Sequence, residues 1–117
     1  MPSKKPAFRL QDIIENADDI ASWIDGMNEA SFRKDRKTIR SVERSIEMVI
    51  EAATKLDDDV KARLGAHPWH LLKGMGNKLR HEYDKVSLEI IRDTAANKIP
   101  LLAADCRRVL DEMRLAE

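Results

Sequence analysis

The sequence predicts an all-α protein, an antiparallel bundle of four to five helices. Apolar residues recur at the three-and-four spacing of amphipathic helices along nearly the whole chain. Glycine and proline number only four each, and the Asn-Gly and Asp-Gly pairs typical of tight hairpins do not occur. At 117 residues the chain is long enough for one hydrophobic core and too short for two, so residues 1–117 are expected to form one domain.

The charge and cysteine content restrict the partners and the compartment. Lys plus Arg and Asp plus Glu both number 21, so the formal net charge is zero and any nucleic-acid contact requires a local basic patch. Cys106 is the only cysteine, which excludes an intrachain disulfide and indicates a reducing compartment. The amino terminus lacks the apolar core of a signal peptide, and no apolar run approaches the ~18 residues of a membrane span. We expect a cytoplasmic protein with no membrane partner.

The first helix is predicted to run from Pro6, whose fixed φ suits a first helical turn, to Gly26. Residues 27–31 then form a loop, in which Asn28 or Ser31 is a candidate N-cap.

The second helix is predicted as one segment of roughly 25 residues, because an apolar stripe continues from Phe32 to Leu56. Its other face is basic, which suits either a solvated surface or a rim that contacts phosphate. The basic residues are Arg33, Lys34, Arg36, Lys37, Arg40 and Arg44.

A short helical turn is expected before the third long helix. Asp57, Asp58 and Asp59 suit its start through the helix dipole, and Gly65 suits its end. Three adjacent aspartates can suggest a metal site, but neighbours in sequence on a helix point in different directions. A cap is the interpretation we adopt.

The third long helix is predicted to begin at Pro68 and to break over residues 84–87. At about 100° per residue, one side is polar and spans about 80° of arc, with Arg80 just beside it. The polar side consists of His70, Lys73, Asn77, His81 and Asp84, and the apolar side of Leu72, Met75, Leu79 and Tyr83.

The last helical segment starts at Ser87 and Glu89, which form a typical start signal, and continues to the C-terminus. Pro100 interrupts the pattern, so the final helix is expected to be kinked or split near that residue. Cys106 falls among apolar positions and is expected to be a buried thiol.

The chemistry available centres on His81. No two of the three histidines are four residues apart and no Cys-x-x-Cys occurs, so we expect no metal and no cofactor. An imidazole takes and gives a proton near pH 7, as attack of a 2′-hydroxyl on a phosphodiester requires. A neighbouring Arg stabilises charge on the phosphate oxygens, and an Asn orients the phosphate or the imidazole. The alternative is a histidine that ends a helix and bonds to backbone carbonyls.

Three segments of the sequence together resemble a known family. They are R-L-Q-D-I-I-E-N-A, R-S-V-E-R-S-I-E-M-V-I-E-A-A and H-P-W-H-L-L-K-G-M-G-N-K-L-R-H-E-Y-D-K-V. The chain resembles, over nearly its whole length, the HepT-like branch of the HEPN superfamily, small all-helical bacterial proteins encoded beside a minimal nucleotidyltransferase. The resemblance implies a toxin–antitoxin module in which a homodimer cuts RNA without metal, and the nucleotidyltransferase antitoxin silences it by transferring AMP to a tyrosine.

The family motif is Arg, usually followed by Asn, with His and Tyr further on in a fixed spacing. Carried over by position, Asn77 matches the Asn, His81 the catalytic His and Tyr83 the AMP acceptor. The motif Arg falls on Gly76, which has no side chain for phosphate, and Ile50 stands where the family often has Gly. Three explanations of Gly76 stay open: a naturally inactive binding module, an active site in which Arg80 substitutes, or a loss-of-function variant of an active toxin.

We therefore expect a HepT-like ribonuclease toxin whose own activity is in question. His81 is the expected general acid and base, Asn77 and Arg80 assist it, and Tyr83 accepts AMP. The RNA substrate would be tRNA or mRNA. The alternative is a non-catalytic helical module that binds RNA, nucleotide or its nucleotidyltransferase. Tyr83 has a second interpretation, a residue packed on the core side of its helix.

Overall fold

The computed structural model describes residues 6–116, and this part of the chain is an all-α bundle, as predicted. The prediction that the amino terminus is not a signal peptide concerns residues before Pro6, which lie outside the described range. The α-helices of the described range are α1 Pro6–Ile24, α2 Glu29–Lys34, α3 Arg36–Thr54, α4 Asp58–Leu64, α5 Trp69–His81, α6 Leu88–Asp93 and α7 Ile99–Leu115. A 3-10 turn, Tyr83–Lys85, follows α5, and a π turn, Thr94–Lys98, joins α6 to α7. None of these helices is long and apolar enough to cross a bilayer.

The core lies between the long helices. Helix α1 packs against both α3 and α7, and α5 packs against α3. The fully buried side chains include Leu10, Ile13, Ile20, Val42, Ile46, Val49, Ile99, Leu102, Cys106 and Val109. Each large aliphatic side chain of this kind contributes about 1.5–3 kcal/mol when removed from water. Cys106 is fully buried, so the expectation of a buried thiol is confirmed. Burial also raises the pKa of this thiol to about 12.

The expected single second helix is wrong, because the chain breaks at Asp35 into α2 and α3. The Asp35 carboxylate accepts a hydrogen bond from the Thr38 backbone N–H at 3.0 Å and so caps α3. The apolar stripe continues across the break because Phe32 and Ile39 are seven residues apart, close to two helical turns. Periodicity therefore cannot reveal the interruption.

The predicted caps elsewhere are confirmed. Asn28 and Ser31 form a reciprocal capping box at the start of α2. The Asp57 carboxylate accepts from the Val60 N–H at 3.0 Å, and α4 ends at Gly65, whose φ of +96° favours glycine.

The irregularity expected near Pro100 is confirmed and lies just before the proline. Over Thr94–Lys98 the helix widens to a π turn, and the Ile99 N–H donates to the Thr94 carbonyl, five residues back. Proline has no N–H and its ring crowds the carbonyl four residues earlier. The extra residue in the turn relieves this crowding, so the chain continues into α7 without a loop.

Candidate functional site

Helix α5 carries the polar residues singled out in the sequence. Its buried positions are Leu72, Gly76 and Leu79, which face α3 and fix the rotation of the helix. With these positions buried, Asn77 and Arg80 lie on the exposed part of the helix. Tertiary packing therefore places the predicted polar ridge at the surface.

A cleft of about 310 Å³ opens between α3 and α5, next to Gly76. Helix α5 contributes Lys73, Asn77 and Arg80 to its wall, so two cationic groups and an amide converge on one space. The other lining residues are Ile50, Glu51, Thr54 and Gly76. Such a set of donors suits an anionic group such as a phosphate.

Arg80, one of the two cations of this cleft, is paired with the Glu51 carboxylate. The Arg80 guanidinium lies 3.4 Å from a Glu51 carboxylate oxygen, and Lys55 lies 3.4 Å from the other oxygen. About half of each of the side chains of Arg80 and Glu51 is exposed, so this pair contributes at most about 1 kcal/mol. Separating Arg80 from Glu51 would therefore cost little.

His81 is the last residue of α5 and is exposed. His81 does not line the cleft beside Gly76, whereas Asn77 does. The two residues are four positions apart, so their side chains lie on one face of the helix with Cβ atoms about 5–6 Å apart. Within residues 6–116 no carbonyl or side chain forms a hydrogen bond with its imidazole. The alternative of a histidine bound to backbone carbonyls is therefore not seen here.

Tyr83 lies outside the helix, not packed on its core side. Glu82 leaves the helical conformation with φ of −145°, and the Tyr83 side chain that follows is 50% exposed. The Arg40 guanidinium sits 4.8 Å from the centroid of its ring, a cation–π contact between α3 and the turn after α5. Arg40 in turn binds both carboxylate oxygens of Glu43, at 3.0 and 3.2 Å. Nothing in the local sequence around Tyr83 indicates this neighbour.

Gly76 is buried against α3. A Cβ atom built on it would lie 2.8 Å from the Cγ2 atom of Ile50. Gly76 and Ile50, the two positions at which the resemblance implied a departure from the family pattern, are thus in direct contact.

Half of the six basic residues of the second predicted helix are paired with carboxylates. Three of its arginines pair with a glutamate of their own helix: Arg33 with Glu29 at 3.1 Å, Arg40 with Glu43 at 3.0 Å and Arg44 with Glu47 at 3.6 Å. This favours a solvated face over a phosphate rim. In residues 6–116 no three of the His, Cys, Asp and Glu side chains are placed to hold a metal ion.

The family model for HepT-like ribonucleases ("Ribonuclease HepT-like") matches residues 13–109. The chain is 37% identical over 100 residues to "Putative RNase MJ0127" of Methanocaldococcus jannaschii, covering 86% of this chain and 83% of that protein. It is 29% identical over 109 residues to "Putative RNase TTE0752" of Caldanaerobacter subterraneus, covering 93% and 97%. It is 30% identical over 93 residues to "Probable ribonuclease HepT" of Thermococcus cleftensis, covering 80% and 84%.

No solved structure matches the chain. The family match extends from α1 into α7 and includes both helices of the cleft. The chain therefore belongs to the HepT-like ribonuclease family.

Proposed function

We propose that the chain is an RNA-directed toxin component of a HEPN and nucleotidyltransferase module, with its cleaving activity weakened at Gly76. The observation that supports this most directly is the grouping of Lys73, Asn77 and Arg80 around one cleft, one turn from an exposed His81. This grouping offers phosphate contacts and a proton-transfer group on one helix.

The proposed reaction needs no metal. The His81 imidazole takes the proton of a ribose 2′-hydroxyl, and the 2′ oxygen bonds to the adjacent phosphorus. The bond from phosphorus to the 5′ oxygen breaks, and that oxygen takes a proton from an imidazolium. The products are a 2′,3′-cyclic phosphate and a 5′-hydroxyl. Arg80 leaves Glu51 and stabilises the charge on the phosphate oxygens. A homodimer supplies a second copy of each of these groups.

The experiment is a cleavage assay on tRNA and mRNA with EDTA present. We expect slow cleavage that His81→Ala abolishes and His70→Ala leaves unchanged, since His70 is an exposed histidine of the same helix outside the motif. Loss of one charge-stabilising group typically lowers a rate ~100- to 1,000-fold, so Arg80→Ala should lower the remaining rate by about that factor. Cleavage that survives His81→Ala would contradict the proposed role.

The second candidate function is a non-catalytic module that binds RNA or nucleotide. The contact between Gly76 and Ile50 favours it, because it prevents position 76 from carrying the cation that cleavage would use. In this case RNA is bound but not cut, and Lys73→Ala or Arg80→Ala weakens binding measured by fluorescence polarisation. An absence of both cleavage and binding would rule out both functions.

We also propose that Tyr83 accepts AMP from the nucleotidyltransferase. Its hydroxyl would attack the α-phosphorus of ATP, with pyrophosphate as the leaving group, and Arg40 above the ring would neutralise the added phosphate. Tyr83 is the only tyrosine of the sequence, so it is the only tyrosine hydroxyl to which AMP could be attached. Incubation with the transferase and ATP should add AMP to the chain and none to Tyr83→Phe. An equal mass gain in Tyr83→Phe would assign the modification elsewhere.

A further inference from the structure

Gly76 and Ile50 meet where α5 packs against α3, and no space is left there for a side chain at position 76. A Cβ at Gly76 would lie 2.8 Å from Cγ2, 3.5 Å from Cβ and 3.6 Å from Cδ1 of Ile50. Carbon atoms in contact normally stay about 3.5–4.0 Å apart. Even the smallest side chain at position 76 therefore collides with Ile50.

Ile50 cannot easily move away. The colliding Cγ2 atom is bonded directly to its Cβ, and a β-branched residue in a helix has one strongly preferred χ1 rotamer. The side chain is also 4% exposed, so a new rotamer would have to fit a packed core. A side chain at position 76 would require the backbones of α3 and α5 to separate.

Gly74 provides the internal comparison. It lies two residues earlier on the same helix, it is exposed, and nothing lies within 4 Å of a Cβ built on it. The requirement for glycine is thus specific to position 76 and does not come from the helix itself.

We propose that Ile50 determines whether position 76 can carry a side chain. The residues at positions 50 and 76 together then determine whether the site has a cation at position 76. A cationic side chain at 76 requires a small residue at 50. With Ile50 present, the cations beside this position are Lys73 and Arg80, which line the adjacent cleft. The part of this proposal that concerns packing is independent of the proposed function. The part that concerns RNA cleavage rests on the proposed function.

The packing part is tested by thermal unfolding of single and double variants. Gly74→Ala should raise the Tm by about 3–5 °C, because alanine is the better helix former, whereas Gly76→Ala should lower it by a similar amount or more. In an Ile50→Ala background the effect of Gly76→Ala should change sign and raise the Tm. Ile50→Val keeps Cγ2 and should not relieve the collision.

Ile50→Leu removes the branch at Cβ with little change of volume, and it gives the same comparison should Ile50→Ala not fold. If Gly76→Ala raises the Tm as much as Gly74→Ala does with Ile50 in place, the proposal is overturned. An equal effect of Gly76→Ala in the Ile50 and Ile50→Ala backgrounds would overturn it as well.

The activity part compares Gly76→Arg alone with Gly76→Arg combined with Ile50→Gly, on tRNA with EDTA present. We expect the combined variant to keep its helical circular dichroism and to cleave at least ~100-fold faster than the natural chain. The single variant should lose Tm and gain less activity. If Gly76→Arg lowers the Tm as much in the Ile50→Gly background as in the natural chain, the coupling of the two positions fails. If it lowers the Tm less in that background but the combined variant does not cut RNA, the coupling stands and the proposed ribonuclease function fails.

Discussion

His67 and Asp105 form a contact between the connection that follows α4 and the last long helix. The His67 Nε2 atom lies 2.7 Å from the Asp105 carboxylate, and the His67 side chain is 7% exposed. The hydrogen bond from His67, with a further contribution from Arg108 at 3.3 Å, lowers the pKa of Asp105 below its usual 3.8. This aspartate therefore stabilises the folded chain as the carboxylate.

We predict that Asp105→Asn lowers the free energy of unfolding near neutral pH and that the difference from the natural chain shrinks in acid. A carboxyl group with a lowered folded-state pKa contributes its full stability above the unfolded pKa, and this is lost as the pH falls through the folded value. The loss should therefore occur below about pH 4. Urea unfolding between about pH 7 and about pH 3 measures it.

The control for this prediction is Asp111→Asn, which removes an exposed carboxylate from the same helix. It reports the general effect of one surface charge on α7. A difference between the natural chain and Asp105→Asn that stays constant down to about pH 3 would contradict the role given to this hydrogen bond.

At the scale of the elements, side-chain caps decide where the helices begin. Asp35 separates α2 from α3, and Ser87 starts α6 by accepting a hydrogen bond from the Ile90 N–H at 3.2 Å. The start signal at Ser87 was readable in the sequence. The break at Asp35 was not, because an aspartate within an apolar repeat suits an exposed helical position as well as a cap.

We predict that Ser87→Ala costs about 1 kcal/mol of stability, since the first turn of α6 loses its acceptor. Ser22→Ala is the matched control, the same exchange at an exposed position within α1. There alanine is the better helix former, so stability should rise slightly. Chemical unfolding measures both, and a loss of the same size in the two variants would argue against a capping role.

At the scale of the whole molecule, charge is balanced and locally paired. The chain carries 21 basic and 21 acidic residues, and several arginines of its basic run are bound to glutamates. We therefore expect the proposed RNA binding to depend on the few cations around the cleft beside Gly76.

We predict a weak salt dependence of RNA binding. For single strands, log K falls with log salt by about 0.7 per phosphate contact, so the two cations Lys73 and Arg80 give a slope of about −1.4, or about −2.8 across a dimer. Fluorescence polarisation with a labelled single-stranded RNA measures this slope. Lys73→Ala should reduce it and Lys34→Ala, on the basic run, should not. A slope of about −4 or steeper would show that the basic run binds phosphate.

The sequence by itself determined the all-α class, the main helical segments, most caps and the family. Helical periodicity and capping depend on residues within a few positions of one another, so a single chain reveals them. The sequence also identified Asn77, Arg80, His81 and Tyr83, through the family motif, as residues to be tested.

Only the tertiary structure decided how these residues are surrounded. The contacts of Arg80 with Glu51, of Tyr83 with Arg40 and of Gly76 with Ile50 all join α3 to α5 or the turn after it. Their partners are 26 or more residues apart, and no local pattern encodes a pairing over that separation. In the sequence, Ile50 and Gly76 are therefore two separate departures from the pattern that the resemblance implies. The structure brings the two residues into contact, so that a change at one position affects the other.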